Sequence, residues 1–139
     1  MKKTVLLFFL IISNIAFAQV STVPTIPTAT SEITIKFDAT GTGLEGYNGD
    51  VYAHTGVTVN GDRWQNVIAE WTVNTTKAKL TRTSTNNYEL LITPDVYTFY
   101  NVATSKKISE FNFVFRSSDG FGVEHVHLCG ISACPPHRD

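Results

Sequence analysis

Apolar residues alternate with polar ones in several separate segments of the chain, and this pattern restricts the fold more than any other feature. In residues 32–38 the apolar positions are Ile33, Ile35 and Phe37. In residues 108–117 every second position from 111 to 115 is a phenylalanine. A period of two is typical of a β-strand with one buried face, because successive side chains of a strand point to opposite sides. The pattern predicts an all-β protein with a phenylalanine-rich core strand.

Glycine and asparagine separate the predicted strands. Residues 39–50 contain four glycines and are predicted to form a loop of turns. A second strand is predicted at residues 51–59, and the pair Asn60-Gly61 favours a tight turn at its end. The remaining strands are predicted at residues 66–74, 79–84 and 88–93, with a hairpin across residues 85–87. Short strands at this spacing predict an immunoglobulin-like antiparallel β-sandwich.

One segment departs from the strand pattern. Pro94 is suited to the first turn of a helix, and Val96, Phe99 and Tyr100 recur at helical spacing after it. We therefore expect one short helical turn between the last two strands of the predicted sandwich.

The chain begins with the three parts of a cleavable secretory signal peptide. Lys2 and Lys3 give a positive end, residues 5–12 are an apolar run, and Ala16-Phe17-Ala18 is a small-x-small cleavage site. The apolar run is well short of the roughly 20 residues that a membrane span needs. We expect residues 1–18 to be removed, leaving an exported protein without a transmembrane span in the periplasm, at the cell surface or outside the cell.

The rest of the chain divides into three predicted parts. Residues 19–31 consist mostly of valine, serine, threonine and alanine with two prolines, which favours an extended, poorly packed linker. Residues 32–120 carry the strand pattern and form the predicted sandwich domain. Residues 121–139 differ sharply in composition and are treated as an atypical tail.

The charge balance argues against nucleic-acid binding. The chain has 11 lysines and arginines and 12 acidic residues, and loss of the signal peptide removes two of the lysines. Nine basic residues then oppose 12 acidic ones, and no basic cluster is present. Affinity for nucleic acid depends on positive charge, so this class of partner is excluded.

No motif in the sequence predicts catalysis. A glycine-rich phosphate loop, a nucleophile elbow and a closely spaced pair of acids are all absent from the sequence. The isolated carboxylates are typical of solvated loops: Asp50, Asp62, Glu70 and Asp95. We therefore expect a protein with no catalytic residues and no cofactor.

Aromatic residues are numerous for a domain of this size, and several have polar neighbours in predicted loops. They are Tyr47, Tyr52, Trp64, Trp71, Tyr97 and Tyr100. Sugars stack their apolar CH faces on such rings, while their hydroxyls bind polar side chains. Trp64 is the first candidate for an exposed stacking platform, with hydrogen bonds supplied by Asp62, Arg63, Gln65 and Asn66. The alternative is a Trp64 ring that plugs one end of the sandwich.

Two further residues of this region have mainly structural interpretations. Trp71 alternates with Val67 and Val73, which favours a core position. His54 lies in the middle of a predicted strand and is interpreted as a structural or hydrogen-bonded residue, not a metal ligand.

The tail concentrates histidine and cysteine. Its candidates are His125, His127, Cys129, Cys134 and His137. Their spacing is compatible with zinc, a disulfide between the two cysteines suits an exported protein, and a non-native tail is the third interpretation. No metal site is expected, and the three interpretations stay open at this point.

Six sequence segments of the chain resemble those of a known family. They are Ile33-Thr-Ile-Lys-Phe-Asp-Ala-Thr40, Leu44-Glu-Gly-Tyr-Asn-Gly-Asp-Val-Tyr-Ala-His-Thr-Gly56, Trp71 with Lys79-Leu-Thr-Arg82, Tyr88-Glu-Leu-Leu-Ile-Thr-Pro94, Tyr100-Asn-Val102 and Phe113-Val-Phe-Arg-Ser-Ser-Asp-Gly120. In this order they resemble the immunoglobulin-like, starch-binding-type domain at the amino terminus of secreted bacterial α-amylases and in outer-membrane starch-utilisation proteins. The resemblance covers about residues 32–120.

The resemblance implies a noncatalytic, exported module that binds α-glucan such as starch, or supports a catalytic domain that does. The candidate carbohydrate-binding residues are Trp64, Trp71, Tyr52, Asp62, Gln65 and Arg116. In the turn at residues 116–120, which matches the family pattern, Arg116 and Asp119 are expected mainly to organise the backbone. The alternatives are a truncated amino-terminal fragment of an α-amylase-type glycoside hydrolase and a purely structural interaction domain with both tryptophans buried.

The resemblance stops at Gly120. The family usually continues with polar residues, often Lys or Gln, and then a short acidic segment into the last strand, whereas this chain continues with Phe121 and the histidine-rich tail. This departure predicts a frameshift or a premature end, with the last strand missing. The phenylalanine strand would then lie next to an open sheet edge, which favours aggregation.

Overall fold

The computed structural model describes residues 19–120 in full and Val123–Cys129 by their backbone. The predicted signal peptide, residues 1–18, lies outside the described residues, as do residues 121–122 and 130–139.

The described residues form eight β-strands and one short α-helix. In chain order these are β1 (Val20–Val23), β2 (Ile33–Asp38), β3 (Val51–Val59), β4 (Asp62–Gln65), β5 (Thr81–Ser84), β6 (Asn87–Ile92), α1 (Val96–Tyr100), β7 (Ile108–Ser117) and β8 (Val123–Cys129). A single 3-10 turn at Thr76–Ala78 precedes β5.

The strands build two four-stranded antiparallel sheets. The first sheet has the order β1-β2-β6-β5 and the second sheet the order β4-β3-β7-β8. Lettered along the chain as A, B, C, C′, D, E, F and G, the strands form an ABED sheet and a C′CFG sheet, which is the arrangement of immunoglobulin domains. The predicted immunoglobulin-like β-sandwich with one short helical turn is confirmed.

The core lies between the sheets and is filled by the residues that the period of two placed on one face. Phe37 of β2 stacks on Phe115 of β7, with 4.3 Å between ring centroids. Phe113 in turn stacks on Phe115 at 5.4 Å. The predicted bounds of β3 and β7 agree with the structure, although the register between the two strands shifts between Thr58 and Val59.

Helix α1 closes one end of the core. Its amino end is capped by Asp95, whose Oδ1 accepts a hydrogen bond from the Thr98 N–H at 2.8 Å. Pro94 therefore precedes the cap and does not lie in the first turn as predicted. The buried Tyr100 hydroxyl bonds Thr55 Oγ1 at 2.8 Å, and Thr55 Oγ1 donates to the Asn112 carbonyl at 2.9 Å. Burial raises the pKa of Tyr100 well above its ordinary value, so the phenol stays protonated.

The segment 19–31 is not a linker outside the domain. Its residues Val20–Val23 form β1, which pairs with β2 in the register Val20 to Phe37 and Val23 to Thr34. Val20 is buried in the core. The composition correctly indicated an extended backbone, but it gave no signal that this backbone pairs with the edge of a sheet.

The strand predicted at residues 66–74 is also wrong. The strand that follows β3 is β4 (Asp62–Gln65), and residues 66–75 form bends and turns. Trp64 and Asn66 have positive φ angles of 56° and 52°, which turn the chain away from the sheet. The apolar alternation of Val67 and Val73 therefore does not report a buried strand face, and both side chains are exposed.

The second sheet does not end at β7. The backbone of β8 pairs with β7 from Arg116 opposite Val123 to Glu110 opposite Cys129. The expectation of a missing last strand, with the phenylalanine strand at an open edge, is therefore wrong. The register places His125 opposite Val114 and His127 opposite Asn112. The zinc, disulfide and non-native interpretations depend on side chains outside the described ones.

Candidate functional site

The outer face of the second sheet is partly covered by a long loop. On β3, Tyr52, His54 and Gly56 alternate with residues that face the core, and they pair with Arg116, Val114 and Asn112 of β7. The covering segment is residues 66–80, which we call the Trp71 loop. It leaves β4, folds over these outward residues and continues into β5 of the first sheet.

Backbone hydrogen bonds fix both ends of the Trp71 loop beside β3. The Ile68 N–H donates to the Thr55 carbonyl at 3.0 Å, and the Leu80 N–H donates to the Val51 carbonyl at 2.9 Å. These two bonds use edge groups of β3 that the short strand β4 leaves without a partner. The middle of the loop is thereby held above the outer face.

Gly56 allows this close approach. A Cβ atom at position 56 would lie 2.8 Å from the Gln65 carbonyl oxygen and 3.1 Å from Val67 Cγ2. Any side chain here would push the start of the Trp71 loop away from the sheet. Gly56, the last residue of the segment 44–56 that resembles the known family, therefore has a steric role.

Three aromatic side chains form a continuous row on the outer face, which we call the aromatic row. The rings of Trp64 and His54 stack with centroids 5.5 Å apart and an angle of 28° between their planes. On the other side of His54, Trp71 lies 5.3 Å away at 70°. Trp71 is 38% exposed, whereas Trp64 and His54 are half-buried.

Trp64 is positioned through its backbone. Its N–H donates to Asn112 Oδ1 at 2.8 Å, and Asn112 is fully buried. The same amide lies within 3.4 Å of Thr58 Oγ1, which in turn donates to Glu110 at 2.9 Å. This network stabilises the left-handed backbone at Trp64, a conformation that a bulky side chain rarely adopts.

Arg116 holds the middle of the Trp71 loop. Its Nη1 donates to Asn74 Oδ1 at 2.8 Å and its Nη2 to the Val73 carbonyl at 3.0 Å. The guanidinium carbon lies 5.5 Å from the centre of the Tyr52 ring and 5.7 Å from that of Trp71. Arg116 is 3% exposed, and burial lowers its pKa. The sheet therefore fixes Trp71 through a buried cation between two rings.

The structure brings some of the predicted site residues together and separates others. Trp64, Trp71 and Arg116 belong to one connected cluster with His54 at its centre. Tyr52 is 9% exposed and supports Arg116 from below, so its ring is not a surface platform. Asp62 and Gln65 are exposed on β4, where Gln65 Nε2 donates to the nearby Arg63 carbonyl at 3.1 Å.

Two expectations about single residues are corrected. Trp71 is not a core residue, because the Trp71 loop lies on the outside of the sheet and leaves part of the ring exposed. His54 has structural contacts, as expected, but it also joins the two tryptophans. A signal for this role is present in the sequence, since His54 lies on the face of β3 opposite the apolar residues Ala53 and Val57.

His54 makes the stability of this cluster depend on pH. Burial, followed by the neighbouring positive charge of Arg116, lowers the His54 pKa below its ordinary value of 6.5. Below pH 6.5 His54 becomes protonated in the unfolded chain, whereas in the folded chain it stays neutral down to its lower pKa. We therefore expect the free energy of unfolding to fall as the pH is lowered from 6.5 to the folded-state pKa of His54. Urea unfolding at pH 7.5 and pH 5 should show a smaller difference for His54→Gln than for the unaltered chain.

The unaltered chain and His54→Gln share all the other histidines, so the contributions of those histidines cancel when the two pH-dependent differences are compared. Asp38, whose pKa its hydrogen bonds to Thr40 lower, titrates below this window and does not disturb it. Equal losses of stability in the two proteins would contradict a role for His54 in the pH response.

The remaining observations concern ligands, membranes and relatives. Among the side chains that the structure describes, no group of three or more His, Cys, Asp or Glu is placed to hold a metal ion. Within the same part of the chain, no helix combines the length and apolar character of a membrane span. No protein-family model matches the chain, and no curated protein matches it at a significant level. The geometry of the aromatic row therefore carries the functional argument.

Proposed function

We propose that this protein is an exported, noncatalytic module that binds a neutral polysaccharide, an α-glucan such as starch, on the outer face of its second sheet. The observation that carries the proposal is the aromatic row, with Trp71 38% exposed and held in place by Arg116. A large, partly exposed indole that the protein fixes from below suits stacking on the CH face of a sugar, since little side-chain freedom is lost on binding.

The angles within the row favour a curved chain over a flat one. Trp71 is inclined to His54 by 70° and Trp64 by 28°, so the two indoles differ in direction by at least the difference, 42°. Their centroids are at most 10.8 Å apart, the sum of the two ring distances of 5.5 and 5.3 Å. A β-1,4-glucan is flat and needs coplanar rings, whereas an α-1,4-glucan turns from one unit to the next. The inclined rings suit the turning chain.

The charges around the row favour an uncharged ligand. The cation next to Trp71 is Arg116, which is buried and already bonds the loop. Glu70 is an exposed neighbour of Trp71 in the loop, and Asp62 is exposed near Trp64. Arg63, the exposed cation between Asp62 and Trp64, already pairs with Glu110 at 3.5 Å. A polysaccharide that carries many carboxylates would meet like charges at Glu70 and Asp62, whereas a neutral glucan would use these carboxylates as hydrogen-bond acceptors.

Trp71→Ala tests the proposal directly. We expect the unaltered chain to be retarded in native gels that contain amylopectin and the variant to lose most of this retardation, with at least about tenfold weaker binding, or about 1.4 kcal/mol. The fold should be retained, because Trp71 lies outside the core. Leu91→Ala, at a 48% exposed apolar residue of the first sheet, is the matched control and should leave the mobility unchanged.

A parallel gel with a soluble β-1,4-glucan separates the two chain geometries. We expect no retardation in it. The proposal is rejected if the folded, unaltered chain migrates in amylopectin as it does in an empty gel.

A further inference from the structure

A cleft lies at the edge of the sandwich, where the end of the Trp71 loop meets β5 and the loop at residues 39–50. It has a volume of about 580 Å³, within the range of about 300–1,000 Å³ that small-molecule sites occupy. The described residues that line it are separate from the aromatic row. Its exposed polar side chains are Asn48, Asp50, Thr76, Lys79, Thr81 and Arg82.

Arg82 is held in the cleft through one of its three nitrogens. Nη2 donates to the Tyr47 carbonyl and to Tyr88 Oη at 2.9 Å, and it lies 3.4 Å from the Gly49 carbonyl oxygen. The guanidinium carbon lies 5.3 Å from the centre of the Tyr88 ring. Nη1 and Nε carry three of the five N–H groups, and neither has a hydrogen-bond partner among the described residues. The exposed guanidinium is therefore fixed in position with three donors still available to a ligand.

The charge of the cleft is positive. Asp50 is the one acid among the described lining residues, and its Oδ2 pairs with Lys79 Nζ at 2.9 Å. This contact uses one of the three ammonium hydrogens of Lys79. Arg82 has no acidic partner within the described part of the chain. Two cations and one acid leave the lining with one net positive charge, although the chain as a whole has more acidic than basic residues.

We propose that this cleft binds the oxyanion group, a phosphate or a carboxylate, of a small polar ligand. Hydrogen bonds from a charged donor to an anion are about twice as strong as those between neutral groups. Arg82 supplies such donors from Nη1 and Nε, and Lys79 supplies two more. The amide of Asn48 and the hydroxyl of Thr81 donate to the remaining oxygens. The site does not rest on the proposed glucan binding, because it shares no described residue with the aromatic row.

Lys79→Gln tests the site, because an exposed lysine can lose its charge without loss of the fold. Glucose 6-phosphate, glucuronate and glucose are titrated into the unaltered chain at pH 7.5, and ¹⁵N NMR spectra record the backbone amides and the arginine Nε–H groups. We expect both anions to shift the signals of Gly49, Thr81 and Arg82 in a saturable way, with a Kd of about 1 mM for the phosphate, and glucose to shift none of them. In Lys79→Gln the affinity for the phosphate should fall at least about fivefold.

Two further variants control for charge in general. Lys36→Gln removes the same charge from an exposed ion pair of the first sheet, 3.5 Å from Glu89, and should bind the phosphate as the unaltered chain does. Asp50→Asn removes the acid that repels an anion and occupies Lys79, so the affinity should rise about threefold. Neighbouring residues of the cleft thus give changes of opposite sign.

The outcomes identify the ligand group and separate this site from the proposed function. Tighter binding of glucose 6-phosphate assigns a phosphate, as its second negative charge leads us to expect, and tighter binding of glucuronate assigns a carboxylate. Equal affinities in the unaltered chain and Lys79→Gln, no shift with either anion, or equal shifts with glucose would each reject the site. Retardation in amylopectin is measured independently, so the loss of either result leaves the other standing.

Discussion

Phe113→Ala is expected to lower the free energy of unfolding by about 3–5 kcal/mol, the usual cost of removing a fully buried phenylalanine. Phe113 is 0% exposed and lies between Phe111, at 5.7 Å, and Phe115, at 5.4 Å. Its strand β7 is an inner strand, paired with β3 on one side and with β8 on the other. Neighbours held on both sides cannot move far enough to fill the space, so most of the cavity remains.

Urea unfolding monitored by circular dichroism measures this effect, provided that the slope of the free energy against denaturant is unchanged. Phe113→Leu removes less volume and should cost clearly less than the alanine variant. Leu91→Ala removes a comparable apolar group at a 48% exposed position of β6 and should cost no more than about 0.5 kcal/mol. A loss below about 1 kcal/mol in Phe113→Ala would mean that the phenylalanine strand is not the centre of the core.

The strands that the sequence predicts well are those with one apolar face in the core between the sheets, even where the outer face of β3 and β7 is also buried. β2, β3 and β7 alternate because one face of each packs between the sheets, and this constraint is local enough to read from the residues. β1 is different, since one buried residue, Val20, and a row of bonds to β2 make it a strand. Backbone pairing at a sheet edge leaves little trace in side-chain chemistry.

The Trp71 loop shows why the same pattern can mislead. Val67, Trp71 and Val73 alternate as strand residues do, but positive φ angles at Trp64 and Asn66 have already turned the chain out of the sheet. The contacts that then fix Trp71 come from Arg116, 45 positions further along the chain. The sequence identifies both tryptophans as candidates. The contact of both tryptophans with His54 depends on how the Trp71 loop folds over β3. No local sequence pattern specifies the path of that loop.

Arg116→Ala is expected to lower the free energy of unfolding by about 2–4 kcal/mol and to weaken glucan binding at least tenfold. The substitution removes the bonds to Val73 and Asn74 as well as the packing against Tyr52 and Trp71. With the loop released, Trp71 loses its fixed position, so binding falls although no residue of the aromatic row has changed. Lys36→Ala is the control, because its 3.5 Å ion pair with Glu89 lies on the first sheet, is exposed on both sides and is worth at most about 1 kcal/mol.

Limited trypsin digestion separates a released loop from a general loss of stability, because Lys77 and Lys79 lie within the Trp71 loop. In Arg116→Ala we expect trypsin to cleave at these lysines under native conditions. Phe113→Ala, digested at a temperature equally far below its own melting temperature, should be cleaved at these lysines no faster than at the other lysines and arginines. Arg116→Lys keeps the charge but lacks the fork that reaches two acceptors at once, so it should resemble the alanine variant in binding. If Arg116→Lys binds glucan as the unaltered chain does, the positive charge alone suffices and the paired hydrogen bonds to the loop are not what fixes Trp71.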